Sequence, residues 1–186
     1  ENGRVRIWST ATGKEVTQEQ QAGAETEGIM DIIYHPGLSY LLSIHADQTL
    51  VLHSLAPLAD LDPGVVIEPL PVIRRISGTH DEVIDVAYVG RDSSLLALAT
   101  NLEDIRIILL ATAEATTSSD DIEGSYFGAD VALLKGHEDI IICMDVDWSG
   151  CWIATGAKDN TARLWRIDPE HSSFTCYGTF IGHAEP

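Results

Sequence analysis

Apolar and polar residues alternate in short runs along this chain. Residues 50–53 and 162–165 are runs of this kind, and the apolar runs at 30–34, 83–89 and 140–146 are each followed by a turn rich in glycine, proline, serine or aspartate. Alternation with a period of two predicts β-strands, and the turn residues predict where the strands end. No stretch carries apolar residues at helical spacing over a convincing length. The pattern therefore predicts an all-β protein.

One unit recurs along the chain: an apolar stretch, small residues, an acidic turn and a closing run of alternating residues. The clearest copy spans residues 153–165, and an earlier one spans 42–53. A third copy is predicted at residues 98–108, with a turn two residues shorter than in the other copies. Residues 4–8 are interpreted as the end of a further copy. Each copy predicts two strands joined by a tight turn.

The spacing of the copies predicts larger repeats of about four strands, because apolar strands at 72–76 and 131–134 precede two of them. The closing residues Trp8, His53, Ile108 and Trp165 are 45, 55 and 57 residues apart. A period of about 40–45 residues with added loops is typical of four-stranded propeller blades. The predicted division has the end of one blade in residues 1–14, blades in 15–55, 72–110 and 131–168, the start of the next blade in 174–186, and loops in 56–71 and 111–130.

The last full copy resembles the WD40 repeat family. Gly136 and His137 are followed by Thr155, Asp159 and Trp165, as in the family pattern of Gly-His, a hydroxyl, an Asp and a closing Trp. The resemblance implies that His137, Thr155, Asp159 and Trp165 form a hydrogen-bonded chain inside a blade, with a structural role.

The other copies depart from that pattern. The weaker blade equivalents that we predict are Ser43, Asp47, His80 and Thr100. The first blade has no Gly-His pair and has His53 in the Trp position, while the second has Ile108 there. Three nearly whole blades and two partial ones do not close a ring of the size this family forms. We therefore expect an incomplete fragment of a larger WD40 β-propeller.

The composition is acidic, with 29 Asp and Glu against 11 Lys and Arg, a net charge of −18 and a pI near 4.4. Affinity for nucleic acids comes largely from Lys and Arg, so direct phosphate-backbone binding is disfavoured. No apolar run reaches the roughly 20 residues that span a bilayer, and no membrane partner is expected. Cys143, Cys151 and Cys176 show no Cys-x-x-Cys spacing, and Cys143 lies in an apolar run that favours a buried free thiol in a reducing compartment.

We predict no catalytic, cofactor-binding or metal-binding residues. A nucleophile, base and acid reading of Thr155, His137 and Asp159 is disfavoured, because this hydroxyl lies in an apolar strand and this Asp in a tight turn. Trp148 and Trp152 are expected to pack in the blade. The run of Thr117, Ser118 and Ser119 before two aspartates also fits an acidophilic kinase.

The resemblance extends to the transducin beta-like class of WD40 proteins, and it implies a function. By resemblance, the chain is a non-catalytic interaction scaffold, a subunit of the U3 small nucleolar ribonucleoprotein and small-subunit processome (a UTP-B type complex) in the nucleolus. Its partners would be protein subunits, with U3 RNA and pre-rRNA contacted indirectly and no small-molecule substrate. Exposed strand edges predict self-association of the isolated fragment. The alternative is a recognition module, such as a ubiquitin-ligase substrate receptor or a reader of basic peptides.

Overall fold

The structure is a computed structural model, and it describes residues 3–18, 27–62, 64–77, 81–91, 93–110, 130–168 and 173–182. The chain divides into two compact units. Unit 1 comprises Glu1–Ser77 with Ser119–Ser125, and unit 2 comprises Gly78–Ser118 with Tyr126–Pro186. The predicted loop at 111–130 lies outside the described residues, except for Asp130.

Strands dominate the described residues, and the all-β prediction is confirmed. The strands are β1 (Ile29–Tyr34), β2 (Tyr40–His45), β3 (Leu50–Ser54), β4 (Val72–Ile76), β5 (Val83–Val89), β6 (Leu95–Thr100), β7 (Ile105–Leu109), β8 (Asp130–Leu134), β9 (Ile141–Val146), β10 (Trp152–Ala157), β11 (Thr161–Asp168) and β12 (Ser173–Ile181). Helical structure in the described ranges is limited to one 3₁₀ turn at Ala56–Leu58.

The strands form three antiparallel sheets of four, each a meander in chain order. Unit 1 holds β1-β2-β3-β4, and unit 2 holds β5-β6-β7-β8 and β9-β10-β11-β12. Short connections favour this order, because neighbours in sequence pair most readily, and only the β3–β4 and β7–β8 connections within these sheets are long. Each sheet is a four-stranded blade.

The sheets differ by one strand from the blade division read off the sequence. Residues 72–76 were assigned to the second blade and 131–134 to the third, but β4 pairs with β3 and β8 pairs with β7. Likewise β12, assigned to the start of a further blade, pairs with β11. Similarity among copies marks a repeat period and does not show which neighbour supplies the hydrogen bonds of an edge strand. Each strand at these positions therefore completes the sheet before it.

The pairing register also corrects the third copy. Leu96 lies opposite Ile108, as Ile153 lies opposite Trp165, so the copy begins at Leu96 and its turn is not shortened. The alternation Leu-Ala-Leu-Ala in β6 allows a shift of two residues without changing which positions are apolar. In register, Leu98 therefore matches Thr155, and the predicted equivalence of Thr100 is wrong.

Unit 2 has a continuous apolar core between its two sheets. The cluster draws on β5, β6 and β7 and on β9, β10 and β11, and its fully buried members include Ile105, Ile141 and Ile153. One polar bond crosses between the inner strands, where Met144 N donates to Asp85 Oδ2 at 2.9 Å. This bond links the two sheets at their first strands.

The β5–β6 and β9–β10 turns of unit 2 meet through two glycines. Gly90 N donates to Gly150 O at 2.9 Å, and both residues have positive φ, at 87° and 66°. A Cβ on Gly150 would lie 2.5 Å from the Gly90 carbonyl oxygen. Glycine at 150 is thus required by both the backbone conformation and the close approach.

Residues 3–18 of unit 1 contribute no strand to the three sheets, although we predicted the end of a blade at 1–14. They form isolated bridges, Trp8 with Glu15 and Thr17 with Ile67. Val16 N also donates to Ile7 O, and Ile67 N donates to Val16 O, both at 2.8 Å. The segment is therefore fixed to the chain that precedes β4.

We expect Gly150→Ala to destabilise the chain by about 3 kcal/mol, because the methyl group adds a clash with Gly90 to the cost of the left-handed conformation. Gly13 is the matched control, since it has the same φ of 66° but a Cβ added there would have no atom within 4 Å. Gly13→Ala should cost about 1 kcal/mol. Denaturant unfolding followed by circular dichroism measures both, and equal losses would contradict the role of the Gly90 contact.

Candidate functional site

The structure brings His137, Thr155, Asp159 and Trp165 together in the third sheet. Trp165 Nε1 donates to Thr155 Oγ1 at 2.9 Å, and that oxygen lies 2.8 Å from His137 Nε2. His137 Nδ1 lies 2.8 Å from Asp159 Oδ2. The His, Thr and Trp residues are buried, and the Asp side chain is 8% exposed. We call these four residues the Trp165 relay.

The proton positions of the Trp165 relay follow from its ends. An indole N–H only donates and a carboxylate only accepts. When the imidazole is neutral, Thr155 Oγ1–H therefore donates to His137 Nε2, and His137 Nδ1–H donates to Asp159. The chain then has one direction from Trp165 to Asp159, with Thr161 Oγ1 also 3.3 Å from His137 Nδ1. The Thr155 hydroxyl is engaged on both sides and buried, so it is not presented for attack on a substrate.

Asp159 also organises the turn between β10 and β11. Its Oδ2 accepts from Glu138 N at 3.0 Å, and its Oδ1 accepts from Thr161 N at 2.9 Å and Thr161 Oγ1 at 2.7 Å. Burial alone would raise the pKa of Asp159, but the hydrogen bonds from Glu138, Thr161 and His137 outweigh it and lower the pKa. Asp159 is therefore held as a carboxylate.

Gly136 explains why His137 reaches the interior. A Cβ at position 136 would clash with the Arg163 guanidinium and would lie 3.3 Å from Trp165 Cη2. Glycine avoids the shift of the Arg163 side chain and of the indole that a Cβ would require. The Gly-His pair is thus a packing requirement of the Trp165 relay.

The first sheet contains a second relay made of different residues. Ser43 Oγ lies 3.0 Å from His45 Nε2 and 2.9 Å from His53 Nε2, and His45 Nδ1 lies 3.2 Å from Glu27 O. A backbone carbonyl only accepts, so His45 Nδ1 carries a proton, and a neutral His45 ring accepts from Ser43 at Nε2. Ser43 Oγ also lies 3.4 Å from a second acceptor, Val51 O. His53 Nε2–H then donates to Ser43. We call Glu27, Ser43, His45 and His53 the His53 relay.

The two relays run in the same direction through equivalent positions. Ser43 pairs with Val51 as Thr155 pairs with Arg163, which places His53 at the register position of Trp165. His53 supplies the N–H that the indole supplies in the third sheet. His45 replaces the missing Gly-His imidazole from within strand β2.

Asp47 does not join the His53 relay. It is exposed, and its Oδ1 accepts from Thr49 N at 3.0 Å, as Asp159 accepts from Thr161. Asp47 therefore makes the same hydrogen bond within its turn as Asp159 makes. Unlike Asp159, it is not part of a relay with a histidine. Sequence reasoning missed the His45 contribution, although the alternation Ser43, His45 on one face of a strand could have indicated it.

His53 occupies an electrostatically unfavourable place for a cation. Burial first, and then electrostatic interaction with His45 and Arg75, lower its pKa to about 4, against a hydrogen bond with the Leu70 backbone that raises it.

The second sheet replaces the relay by apolar residues. Leu98, Leu102 and Ile108 stand at the register positions of Thr155, Asp159 and Trp165, and Leu98 and Ile108 are buried. Exchanging both partners of a buried hydrogen bond for apolar groups is nearly neutral for stability. Thr100 lies two residues beyond Leu98, and its buried Oγ1 has no partner in the described part of the chain. His80, the predicted relay residue of this blade, lies outside the described residues.

Trp148 departs from the packing that we expected. It is wholly exposed at 104%, at the tip of the β9–β10 turn. Asp147 fixes this turn by accepting from Cys151 N and Trp152 N through Oδ1 and from Ser149 through Oδ2. Trp152 is half-buried, and its ring packs edge-on against Tyr177 with centroids 5.0 Å apart.

Cys143 is also exposed, contrary to the prediction of a buried thiol. It lies on β9, which has a strand partner on one side only, and it lines an apolar cavity of about 420 Å³ with Ile142, Thr155 and Ala162. The apolar run that suggested burial on both faces has one face on the core and one on this cavity.

Neither a metal cluster nor a membrane helix is found in what the structure describes. No group of three or more His, Cys, Asp or Glu side chains in the described ranges is placed to hold a metal ion. In the same ranges, we find no helix with the length and apolar character that crossing a bilayer requires. The kinase segment at residues 117–119 lies outside the described residues.

Comparison with protein families bears directly on the Trp165 relay. The family model for the WD domain, G-beta repeat (WD40) matches residues 128–166, which contain all four relay residues. The chain contains a WD40 repeat. Its three sheets are four-stranded blades of the WD40 propeller class, as the sequence predicted.

Curated relatives extend the similarity of the WD40 chain. It is 33% identical to U3 small nucleolar RNA-associated protein 13 of Saccharomyces cerevisiae over 157 residues. The matched region is 84% of this chain and 18% of that protein. It is 26% identical to transducin beta-like protein 3 of Homo sapiens over 184 residues. Here the matched region is 98% of this chain and 19% of that protein. The chain thus spans less than a fifth of the length of these relatives.

A shorter match and a solved structure complete the comparisons. Ribosome biogenesis protein BOP1 of Rattus norvegicus is 42% identical over 33 residues, which is 18% of the WD40 chain and 4% of that protein. The crystal structure of the computationally designed Ika8 protein matches 99% of the WD40 chain and 45% of its own, with a TM-score of 0.61 and 16% identity. At that identity the likeness concerns the fold alone.

We expect Thr155→Val to destabilise the chain by about 3 kcal/mol, because it leaves Trp165 Nε1 and His137 Nε2 buried without a partner. Thr175→Val on β12 is the control, since Thr175 is exposed and valine suits a strand equally well. Its free energy of unfolding should stay within about 0.5 kcal/mol of the parent chain. Denaturant unfolding measures both variants, and a Thr155→Val chain as stable as the control would show that the relay carries no stability.

The folded-state pKa of His53 lies below its unfolded value of 6.5, so the unfolded chain binds the proton more readily. The stability held by neutral His53 is therefore complete above about pH 6.5 and is lost as the pH falls toward 4. After allowance for the exposed part of the ring, we expect a loss of about 1 kcal/mol between about pH 7 and 5.

His53→Trp tests that linkage, because an indole keeps the N–H for Ser43 and does not titrate. The difference in free energy of unfolding between parent and variant should change by about 1 kcal/mol over that interval. The cavity beside His53, about 150 Å³, offers room for the larger ring. A difference that does not change with pH would refute the assignment of the linkage to His53.

Proposed function

We propose that this chain is part of a non-catalytic scaffold of ribosome biogenesis, a WD40 subunit of the U3 small nucleolar ribonucleoprotein and small-subunit processome in the nucleolus. The observation that carries the proposal is the 33% identity to the yeast U3-associated protein over 84% of the chain. The likenesses to transducin beta-like protein 3 and to a ribosome biogenesis protein support it. A subunit of a UTP-B type complex is the specific form that we propose.

The geometry supports a scaffold in preference to an enzyme. The polar side chains that could suggest catalysis satisfy one another in the Trp165 relay, and Thr155 at its centre is 3% exposed. Buried polar networks of this kind stiffen a fold. Blades stiffened in this way hold their turns in fixed positions, which is what a scaffold needs to present contacts to partners.

Trp148 is the residue of unit 2 best suited to such a contact. An exposed tryptophan on a turn held by Asp147 offers a large contact area at little entropic cost, and tryptophan is enriched among the residues that dominate protein interfaces. With a net charge of −18, the chain is suited to protein partners, and we propose that U3 RNA and pre-rRNA are contacted through them.

The test is affinity purification of the tagged protein from nuclear extract, with U3 RNA measured by reverse transcription and proteins by mass spectrometry. We expect U3 RNA and processome proteins to be enriched over an untagged control. Trp148→Ala should lower their recovery without changing stability. Leu102→Ala, an exposed apolar residue on the β6–β7 turn of the same unit, is the matched control and should leave recovery unchanged.

The alternative function predicts a different outcome of the same purification. A substrate receptor would recover ubiquitin-ligase subunits, and a reader of basic peptides would recover Lys- and Arg-rich proteins. Enrichment of either class without U3 RNA would exclude the scaffold that we propose.

A further inference from the structure

β12 lies at one edge of the third sheet, and no strand in the described ranges pairs with its outer side. It spans the nine residues Ser173–Ile181 and pairs with β11 on its inner side. The matching edge strands of the other two sheets, β4 and β8, have five residues each. A longer unpaired edge presents more backbone N–H and C=O groups, which a further strand can bind.

β12 also lacks the charges that protect many edge strands from pairing. It contains neither a charged residue nor a proline. β4 contains Arg74 and Arg75, while β8 contains Asp130 and is followed by Lys135. Short length, charged side chains and proline are means by which edge strands avoid one another. β4 and β8 have the first two of these means, and β12 has none of the three.

One register position shows the difference most directly. Thr179 pairs with Arg163 in the third sheet, and Arg75 pairs with Val51 in the first. Arg163 and Val51 are equivalent, because each lies opposite the central hydroxyl residue of its relay. Thr179 is exposed. At this edge the third sheet therefore has a small neutral side chain where the first has a guanidinium group.

A bulge at Tyr177 divides β12 into two straight stretches. The register with β11 shifts between Leu164 and Trp165, which leaves Tyr177 as the extra residue. A bulge opposes edge pairing because it bends the strand, but β4 and β8 have register shifts as well, so the bulge does not distinguish β12. Residues 173–176 and 178–181 pair regularly with β11. Each stretch is long enough to form a strand pair on its outer side.

We infer that two copies of this chain pair through the outer sides of their β12 strands, antiparallel and related by a twofold axis. Such an axis sets a strand against its own sequence, so Arg74 and Arg75 of β4 would face like charges and repel. β12 brings no charge against itself in any register, and its threonine and aromatic residues form favourable cross-strand pairs. The self-association that exposed edges predict is thus assigned to one strand, and the two third sheets become one sheet of eight strands.

The charge of the whole chain sets the salt dependence of this pairing. Two chains of −18 each repel at long range, and dissolved salt screens that repulsion. The contacts between the β12 strands themselves involve no charged side chain. The dimer should therefore become tighter as the ionic strength rises. A basic segment of another protein bound at the same edge would instead become weaker.

The test is sedimentation equilibrium of the 186-residue chain over a range of protein concentrations, in about 0.05 M and about 0.5 M sodium chloride. We expect a reversible equilibrium between a monomer of 20.2 kDa and its dimer, with a lower dissociation constant at the higher salt concentration. Hydrogen exchange of the same samples should show that the β12 amides exchange more slowly at high protein concentration, with no such change in β4 or β8.

Two variants place a charge on β12. Thr179→Arg supplies the residue that β4 has at this position, and Thr175→Arg changes the stretch on the other side of the bulge. At least one of them should raise the dissociation constant about tenfold, because the twofold axis repeats each substitution in the same contact. Thr12→Arg is the control, since Thr12 is exposed, lies on none of the strands and gives the same change of net charge. It should leave the dissociation constant unchanged, and all three circular dichroism spectra should match that of the parent chain.

Several outcomes would overturn the inference. A chain that stays monomeric at every concentration and salt would do so, as would assemblies that grow beyond the dimer, because a twofold pair is closed. An unchanged dissociation constant in both β12 variants, or slower exchange in β4 or β8 in place of β12, would assign the contact to another surface. Weaker association at the higher salt concentration would show that charged groups hold the dimer, contrary to a pairing of β12 strands.

Discussion

A hydroxyl group that accepts one hydrogen bond and donates another is the interaction on which two of the three sheets depend. Thr155 and Ser43 occupy the same register position, and each joins a donor on the closing strand to an imidazole. A hydroxyl has one proton and two lone pairs, so beside a neutral imidazole with a bare Nε2 it donates to that nitrogen and accepts from the closing strand. The direction of each relay follows from this donor and from the acceptor at the far side of the imidazole.

The three sheets solve one packing problem in three ways. The third sheet uses an indole and a carboxylate, the first uses an imidazole and a backbone carbonyl, and the second uses leucine and isoleucine. All three sheets keep the same strand register around the equivalent positions Ser43, Leu98 and Thr155. A full relay and a fully apolar position are both acceptable to a buried site, whereas a half-satisfied relay is costly. At this position each sheet therefore has either a connected set of polar residues or a set of apolar ones.

Most of the strands could be predicted from the sequence because alternation and turn residues are local signals. The ranges 72–76 and 83–89 match β4 and β5 residue for residue. Sheet membership could not be predicted, since the partner of an edge strand depends on the path of the connecting chain. The register of β6 failed for a related reason, because its repeated Leu-Ala pairs look the same after a shift of two residues.

The residues of the Trp165 relay were predictable because a family pattern names them at fixed spacing. The His53 relay has no such pattern, and its members become visible only when β2 and β3 are paired so that Ser43 meets His53. The exposure of Trp148 was equally hidden, because sequence gives the residue type but not the direction in which a turn points. Residues that belong to a family pattern can therefore be predicted from the sequence more easily than contacts that depend on how strands pair or on how a turn is oriented.

The bond from Met144 N to Asp85 joins two blades through a backbone group on one side. Every amino acid except proline offers that N–H, so the hydrogen bond does not depend on the side chain at position 144, which packs in the apolar core. The bond specifies only its acidic partner. A joint of this kind lets one blade change its sequence while remaining attached to a neighbour that has not changed, which is how a repeat array can diversify one module at a time.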